Sequence, residues 1–144
     1  MSMNRTPRTR TSASSEAEWH VLNADGRILG RLANEAAQLL LGKHRTDARP
    51  HTVCPVYVVV THTDRVAVTG SKETEKTYYR HTGYPGGLKQ RTLAEQRRRD
   101  SRRIVLDAVA GMLPKNNLRQ LRLGHLKLYR GSEHPHAAQV GTTA

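Results

Sequence analysis

The sequence predicts an α/β fold that begins with a strand, a helix and a second strand. Residues 19–23 form a short apolar run that ends at an Ala-Asp-Gly turn, which is typical of a buried strand. Apolar residues recur at helical spacing over 29–41, and Gly42 stands where that helix would end. The β-branched run over 56–60 is typical of a strand covered on both faces. Together they predict a parallel βαβ unit with a right-handed crossover.

Shorter elements are predicted in the middle of the chain. Residues 66–68 read as a short strand that closes at Gly70, and residues 77–81 as an extension of the sheet. Residues 83–87 contain three glycines and one proline, which disfavour both helix and strand, so we expect a loop there.

Two helices and a last strand are expected toward the C-terminus. Residues 92–99 predict a short polar helix, and Ser101 predicts the N-cap of the next one. Pro114 lies just beyond the end of that second helix, and residues 126–129 predict a short final strand. The apolar face of the second helix is expected to contain Ile104, Val105, Ala108, Val109 and Met112.

Charge divides the chain into two regions. The formal net charge of the 144 residues is +12, and residues 80–130 alone hold 13 Lys and Arg against 3 Asp and Glu. No run approaches the 18 apolar residues of a membrane span, and the single cysteine excludes an intramolecular disulfide. The N-terminal part therefore reads as a nearly neutral body and residues 80–130 as a contact surface for a polyanion.

The domain organisation follows from composition. Residues 1–17 are rich in Arg, Ser and Thr, which predicts a disordered N-terminal arm. Residues 18–139 are predicted to form a single domain, and residues 140–144 a flexible tail.

Catalytic and metal-binding patterns are weak. The turn at 26–30 lacks the glycine spacing of a dinucleotide site, and Gly70 lacks the glycine five positions before it that a Walker loop needs. Cys54 has no identifiable orienting acid, and the pair His134 and His136 alone is too few ligands for zinc. We expect no enzyme activity, no cofactor and no metal. A small nucleotide- or metal-dependent enzyme on a doubly wound sheet is the alternative.

Aromatic and basic residues crowd the region from 78 to 91. The string Gly-Tyr-Pro-Gly at 83–86 fits the GXXG pattern of KH domains, in which small residues let the backbone approach nucleotides. Tyrosine and arginine planes stack on unpaired bases, while lysine and arginine meet phosphates. Five arginines within 97–103 repel one another in water but favour a phosphate backbone. A glycine-rich hairpin with a solvated basic rim is the alternative interpretation of residues 78–91.

Six blocks, in order and with family-like spacing, resemble the large-subunit ribosomal protein 13 family in its bacterial and organellar form. They are residues 29–33, 42–44, 68–70, 78–88, 111–116 and 133–139. The resemblance implies a three-layer α/β/α fold around a mostly parallel central sheet, with basic loops and short helices. It implies a structural, non-enzymatic role in the large subunit, in rRNA binding, subunit assembly and translation. The implied location is the ribosome of a bacterial cytoplasm or of an organelle matrix.

The resemblance also implies partners and a set of RNA-facing residues. The partners are large-subunit ribosomal RNA and neighbouring large-subunit proteins, with no membrane. Binding of a messenger RNA by the same surface, in regulation, is an alternative that the residues leave open. The matched blocks assign RNA contact to Lys43, His44, Arg80, His81, Gly83, Tyr84, Gly86, Gly87, Lys89, Lys115, Asn116, His134 and His136. Basic character adds Arg45, Arg91, Arg97, Arg98, Arg99, Arg102, Arg119, Arg122 and Lys127.

Overall fold

The computed structural model describes residues 17–140. The predicted arm over 1–17 and the predicted tail over 140–144 lie outside the described residues, except for Ala17 and Val140. In chain order the elements are β1 (Glu18–Asn23), α1 (Leu29–Leu41), β2 (Val56–Thr61), a 3-10 turn (Thr63–Arg65), α2 (Lys72–Glu75), β3 (Thr77–His81), β4 (Leu88–Thr92), α3 (Leu93–Met112), α4 (Leu118–Gly124), β5 (Leu126–Leu128) and α5 (Ala137–Val140).

A three-stranded parallel sheet forms the centre of the fold, in the order β1-β2-β5. Trp19 pairs with Tyr57 across β1 and β2, and Val58 pairs with Leu126 across β2 and β5. The predicted α/β class, the parallel β1-α1-β2 unit and the final strand are confirmed. Val58, Val59 and Val60 are all fully buried, as a strand covered on both faces requires.

One face of the sheet packs against α1 and α3. Leu32 and Leu40 of α1, Val58 of β2, and Val105 and Val109 of α3 all belong to the same buried apolar cluster. Burial of such side chains contributes about 25 cal/mol per Å² of apolar area, so this cluster is the main source of folding energy.

Helix α1 ends at Gly42, as the sequence predicts. Gly42 has φ of 71°, a left-handed conformation, and its N–H donates to the carbonyl of Leu39. A side chain there would meet a neighbour as well, because a Cβ on Gly42 would lie 2.5 Å from the Cys54 sulfur. Position 42 therefore requires glycine for two reasons. The left-handed conformation disfavours other residues, and the Cys54 sulfur leaves no room for a Cβ.

The opposite face of the sheet carries stacked rings. Trp19 and Tyr57 stack at 4.5 Å between ring centroids, and His136 and His125 lie against them. The short helix α5 follows His136 and contacts β1, so the C-terminal segment forms the second outer layer. This layer is much thinner than the helical layer formed by α1 and α3.

Two sequence predictions about strands are wrong. Residues 77–81 do form a strand, but β3 pairs with β4 in a separate antiparallel hairpin instead of extending the central sheet. Residues 66–68 form no strand, because Ala67 makes only an isolated bridge to Ile28. In both cases the local pattern was right for extended backbone, but the pairing partner depends on tertiary structure.

Helix α3 joins the two helices that the sequence predicts. Thr92 forms a capping box with Glu95 at its start, and Asp100 interrupts the helical conformation in the middle. The prediction that Ser101 caps the second half is wrong. The Asp100 carboxylate accepts from the N–H of Arg102 instead, while the buried Ser101 hydroxyl pairs with Thr63 at 3.0 Å. On the predicted apolar face Ile104, Val105 and Val109 are buried, Ala108 is half-buried and Met112 is 43% exposed.

Candidate nucleic-acid interface

The β3-β4 hairpin presents a tight glycine loop. Gly83 and Gly86 have φ of 90° and 71°, which favour glycine. A Cβ on Gly87 would collide with the Thr82 side chain and lie 2.8 Å from the carbonyl oxygen of Tyr84. The N–H of Gly83 donates to Nδ1 of His81 at 2.9 Å, which fixes the entry to the loop. The structure therefore has a glycine-rich hairpin here, and the backbone of its loop is closely packed.

A groove lies between this hairpin and α3, with a volume of about 900 Å³. We call it the hairpin groove. Five basic side chains and two carboxylates line it, so its local charge is strongly positive. Its lining consists of Tyr78, Tyr79, Arg80, Thr82, Lys89, Arg91, Gln96, Arg99, Asp100, Arg103 and Asp107.

The register of the hairpin places like charges opposite each other. Arg80 pairs directly with Lys89, and Tyr78 pairs with Arg91, so these four residues share one face of the hairpin. Arg80 and Lys89 are both exposed. Like charges directly opposite on a strand pair destabilise it, and a bound anion removes that repulsion. This face of the hairpin is thus better suited to an anion than to water.

Tyrosines accompany these cations. Tyr79 is 64% exposed in the hairpin groove, and Tyr84 is 76% exposed on the loop. Tyr78 is half-buried, with the Lys76 ammonium 5.5 Å from its ring centroid. Burial raises the pKa of the Tyr78 hydroxyl, and the carboxylate of Asp107 raises it further. Tyr78 therefore stays a neutral donor, while Tyr79 and Tyr84 offer open faces for stacking.

A second groove of about 760 Å³ continues from the first. We call it the helix groove, because α3 and α4 form its walls. It shares Arg103 and Asp107 with the hairpin groove. Its lining consists of Arg103, Leu106, Asp107, Ala110, Asn116, Asn117, Arg119, Gln120, Leu123 and Gly124. The two grooves are thus neighbours along α3, and the helix groove adds amide and arginine donors.

The arginine cluster at 97–103 separates into two kinds of residue. Arg97 is directed into the protein, where it contacts Glu73 and the carbonyl oxygens of Asp64 and Val66. Arg98 and Arg99 are exposed. Arg102 pairs with Asp100 at 3.0 Å and Arg103 pairs with Asp107 at 3.1 Å, but both arginines are more than half exposed.

Three other basic residues of the predicted set already have partners within this chain. Arg122 is only 3% exposed, and its guanidinium donates to the carbonyl of Pro50 at 3.4 Å. Arg45 is held by Glu18 and Asp47, and His44 lies 2.8 Å from the Glu18 carboxylate. These contacts leave Arg122, and to a lesser degree Arg45, few donors for a ligand.

The two C-terminal histidines pack in the ring cluster on the sheet face that carries Trp19 and Tyr57. His136 packs on Trp19 at 4.9 Å between centroids, and both His134 and His136 lie 6.0 Å from Tyr129. They are half-buried within this ring cluster. Lys43, Lys115 and Asn116 are exposed on loops, and Lys127 is half-buried on β5.

Residues that could support catalysis have structural contacts instead. Cys54 is buried beneath Gly42, with its sulfur 4.0 Å from the carbonyl of Leu41. Asp25 pairs with Arg65 at 3.3 Å, and Glu35 pairs with Arg27. Between residues 17 and 140, no helix has both the length and the apolar character needed to cross a membrane.

Comparison with known proteins agrees with this architecture. Residues 17–135 match the family model described as ribosomal protein L13. The chain belongs to the ribosomal protein L13 family. A large ribosomal subunit protein uL13 from Dichelobacter nodosus is 46% identical to it over 134 residues, covering 93% of this chain and 94% of the relative. The uL13 protein of Geobacillus kaustophilus is 50% identical over 124 residues and covers 86% of both chains. The resemblance stated from the sequence blocks is confirmed.

The set of RNA-facing residues predicted from the sequence lacks some residues that line the two grooves. Tyr78, Tyr79 and Arg103 line the hairpin groove, and Asn117 lines the helix groove. The contributions of Gln96 and Asn117 depend on how α3 and α4 pack, for which the sequence offers no local signal.

Proposed function

We propose that this chain is a structural, non-enzymatic constituent of the large ribosomal subunit that binds large-subunit rRNA and supports subunit assembly and translation. The observation that carries the proposal is the direct pairing of Arg80 with Lys89 in the hairpin groove, next to exposed Tyr79, which alternates to the other face of β3. A polyanion relieves the charge repulsion, and an unpaired base covers the tyrosine ring.

Two types of contact are expected from this surface. Arginine and lysine side chains meet phosphates and supply affinity without reading sequence. Tyr79 and Tyr84 stack on bases that are splayed out of a helix, as single-stranded RNA segments allow. A folded RNA with loops and bulges, such as rRNA, presents both features together.

The proposed contact set follows exposure and groove position. It keeps the residues of the earlier set that are exposed without an ion-pair partner outside the grooves, or that lie in a groove or the glycine loop, and it leaves Arg97 and Arg122 to structural roles. It comprises Lys43, Arg80, His81, Gly83, Tyr84, Gly86, Gly87, Lys89, Arg91, Arg98, Arg99, Arg102, Lys115, Asn116 and Arg119, to which the grooves add Tyr79 and Arg103. Arg45, His44, Lys127, His134 and His136 are proposed as peripheral contacts, because internal partners or partial burial limit their reach.

Family membership favours this role over the alternative of a nucleotide- or metal-dependent enzyme. The relatives are named as large ribosomal subunit proteins, so neighbouring proteins of that subunit are the proposed protein partners. Regulatory binding of a messenger RNA would use the same groove and is secondary to the rRNA proposal.

The test is the salt dependence of binding to purified large-subunit rRNA. A double variant with Arg80→Gln and Lys89→Gln removes two positive charges from the hairpin groove. Each phosphate contact contributes about 0.7–0.9 to the slope of log K against log salt, so this slope should fall by about 1.5. Affinity at low salt should fall roughly tenfold or more.

The matched control removes two charges elsewhere. Arg31 and Arg49 are exposed and lie outside both grooves. Their double replacement by Gln changes the net charge equally and should leave the slope nearly unchanged. Equal losses in the two double variants would mean that net charge alone drives binding, and the groove proposal would fail.

A further inference from the structure

A cluster of three potential metal ligands lies at the start of the central sheet, away from both grooves. Glu18 and His20 are two residues apart on β1, so their side chains point to the same face of the strand. His44 follows the end of α1, which packs on that face of the sheet. The fold therefore brings together residues that are separated by about 25 positions in the chain.

The three ligand atoms converge closely. The Oε2 atom of Glu18 lies 2.8 Å from Nε2 of His44 and 3.6 Å from Nε2 of His20. All three ligand atoms lie within 4.8 Å of one another, and within residues 17–140 this is the one trio of His, Cys or acidic side chains that does so. Two imidazole nitrogens and one carboxylate oxygen around one point are a common zinc ligand set, which leaves a fourth position for water.

His20 supplies an independent sign of a missing partner. Its Nε2 atom is inaccessible to solvent and has no hydrogen-bond partner, although it faces the Glu18 carboxylate. A buried polar atom without a partner costs free energy, and most such atoms in native proteins are satisfied. A metal ion coordinated by this nitrogen would satisfy it.

The surrounding charges allow a cation. Arg45 binds the other carboxylate oxygen of Glu18, Oε1, at 2.7 Å, so Oε2 stays available. Arg45 is itself held by Asp47 at 2.8 Å. Glu18, Asp47 and Arg45 together carry one net negative charge, which partly offsets the charge of a divalent ion. Arg45 also fixes the carboxylate in place, as a residue outside the coordination sphere often does.

We propose that Glu18, His20 and His44 form a binding site for a divalent transition-metal ion of the zinc class, with water at the open position. The ion joins the start of β1 to the loop after α1. The site is separate from both grooves, because none of its residues lines either one, and only His44 also belongs to the proposed peripheral RNA contacts. In the protein without RNA, the bound ion would take the place of the hydrogen bond between Glu18 and His44. Its bonds to all three ligands would hold β1 and the loop after α1 together.

The experiment uses the full chain, free of RNA, and zinc chloride alone as the probe. Isothermal titration should show one strong site per chain, and thermal unfolding should shift upward when zinc is added. His20→Gln removes one ligand from an atom that makes no hydrogen bond, so the variant should fold normally. It should weaken zinc affinity about tenfold or more and lose most of the thermal shift.

His51→Gln is the matched control, because His51 is an exposed histidine outside the cluster. It should bind zinc as the unaltered chain does. Cobalt(II) used in place of zinc should give the visible absorption bands that are typical of four-coordinate cobalt. Both His20→Gln and His44→Gln should abolish these bands. Unchanged zinc affinity in both ligand variants, or an equal loss in His51→Gln, would overturn the proposal. Failure to bind zinc at all would also overturn it and would leave the RNA proposal untouched.

Discussion

Arg97 forms a two-point ion pair with Glu73, in which Nε and Nη2 donate to the two carboxylate oxygens at 3.0 and 3.2 Å. The remaining nitrogen, Nη1, donates to the carbonyl oxygens of Asp64 at 3.0 Å and Val66 at 2.8 Å. One side chain from the most basic run of the sequence thus ties α3 to α2 and to the segment after β2. It acts as a structural residue, although the sequence groups it with solvent-facing arginines.

We expect Arg97→Gln to lower the free energy of unfolding by about 1–3 kcal/mol, because it leaves partly buried acceptors without a donor. Arg98→Gln is the neighbouring control, and a change of an exposed side chain should stay within about 0.5 kcal/mol. Urea unfolding at neutral pH measures both. Equal stability of the two variants would contradict the structural role of Arg97.

Gly42 is predicted to tolerate no side chain. Gly42→Ala should cost about 2 kcal/mol or more, because a left-handed conformation is strained for alanine and the new Cβ meets the Cys54 sulfur. Adding Cys54→Ala removes the sulfur contact, while the backbone strain and the 3.2 Å approach to the Cβ of residue 54 remain. The double variant should therefore recover about 1 kcal/mol relative to additive losses, a coupling that thermal or urea unfolding can measure. Simple additivity would show that the contact is unimportant.

Acid should weaken the ion pairs of Asp100, the residue that interrupts the helical conformation of α3. A hydrogen bond from Arg102 lowers the pKa of Asp100, and that arginine's positive charge and a contact from Arg130 reinforce the shift. A carboxyl group with a lowered pKa in the folded state stabilises the protein above its ordinary pKa, about 4 for aspartate. That contribution is lost as the pH falls through the lowered folded value.

The Asp100→Asn variant tests this linkage. The difference in unfolding free energy between the unaltered chain and Asp100→Asn should be largest at neutral pH. It should shrink as the pH falls below about 4 and disappear below the lowered folded pKa of Asp100, where both chains carry a neutral group. Urea unfolding across this range measures it, and a difference that is independent of pH would exclude the ion pair as its cause.

Tyr79 is expected to contribute through its ring and not through charge. Tyr79→Ala should weaken rRNA binding by about 1–3 kcal/mol if one base stacks on it, with no change in the salt slope. Tyr79→Phe keeps the ring and should bind almost as the unaltered chain does. Filter binding at several salt concentrations separates the two effects. A loss in Tyr79→Phe equal to that in Tyr79→Ala would assign the contact to the hydroxyl group.

Local sequence signals were enough where a single residue decides the structure. Helix α1 has the predicted bounds because its apolar spacing and Gly42 act within one element. The burial of β2 followed from its β-branched run for the same reason. The cap of the second half of α3 was misplaced by one residue, since aspartate and serine are both good N-caps and only tertiary contact gives Ser101 to Thr63.

The candidate site was predictable in its outline and not in its detail. The crowding of tyrosine and basic residues over 78–91 located the hairpin correctly, but the independent sheet of β3 and β4 was missed. Separating Arg97 from Arg99 requires knowing that Glu73, 24 residues earlier, lies beside α3. The cluster of Glu18, His20 and His44 likewise arises from the packing of α1 on the central sheet, which spacing alone does not reveal.

The most direct test of rRNA contact in the hairpin groove is ultraviolet crosslinking of this chain to rRNA within assembled large subunits. Mass spectrometry of the nucleotide-linked peptides then identifies the linked residues. We expect the linked residues to fall mainly in the hairpin groove, with Tyr79 or its neighbours in β3 and β4 among them. Links confined to the exposed face of α1, with none between residues 78 and 91, would contradict it.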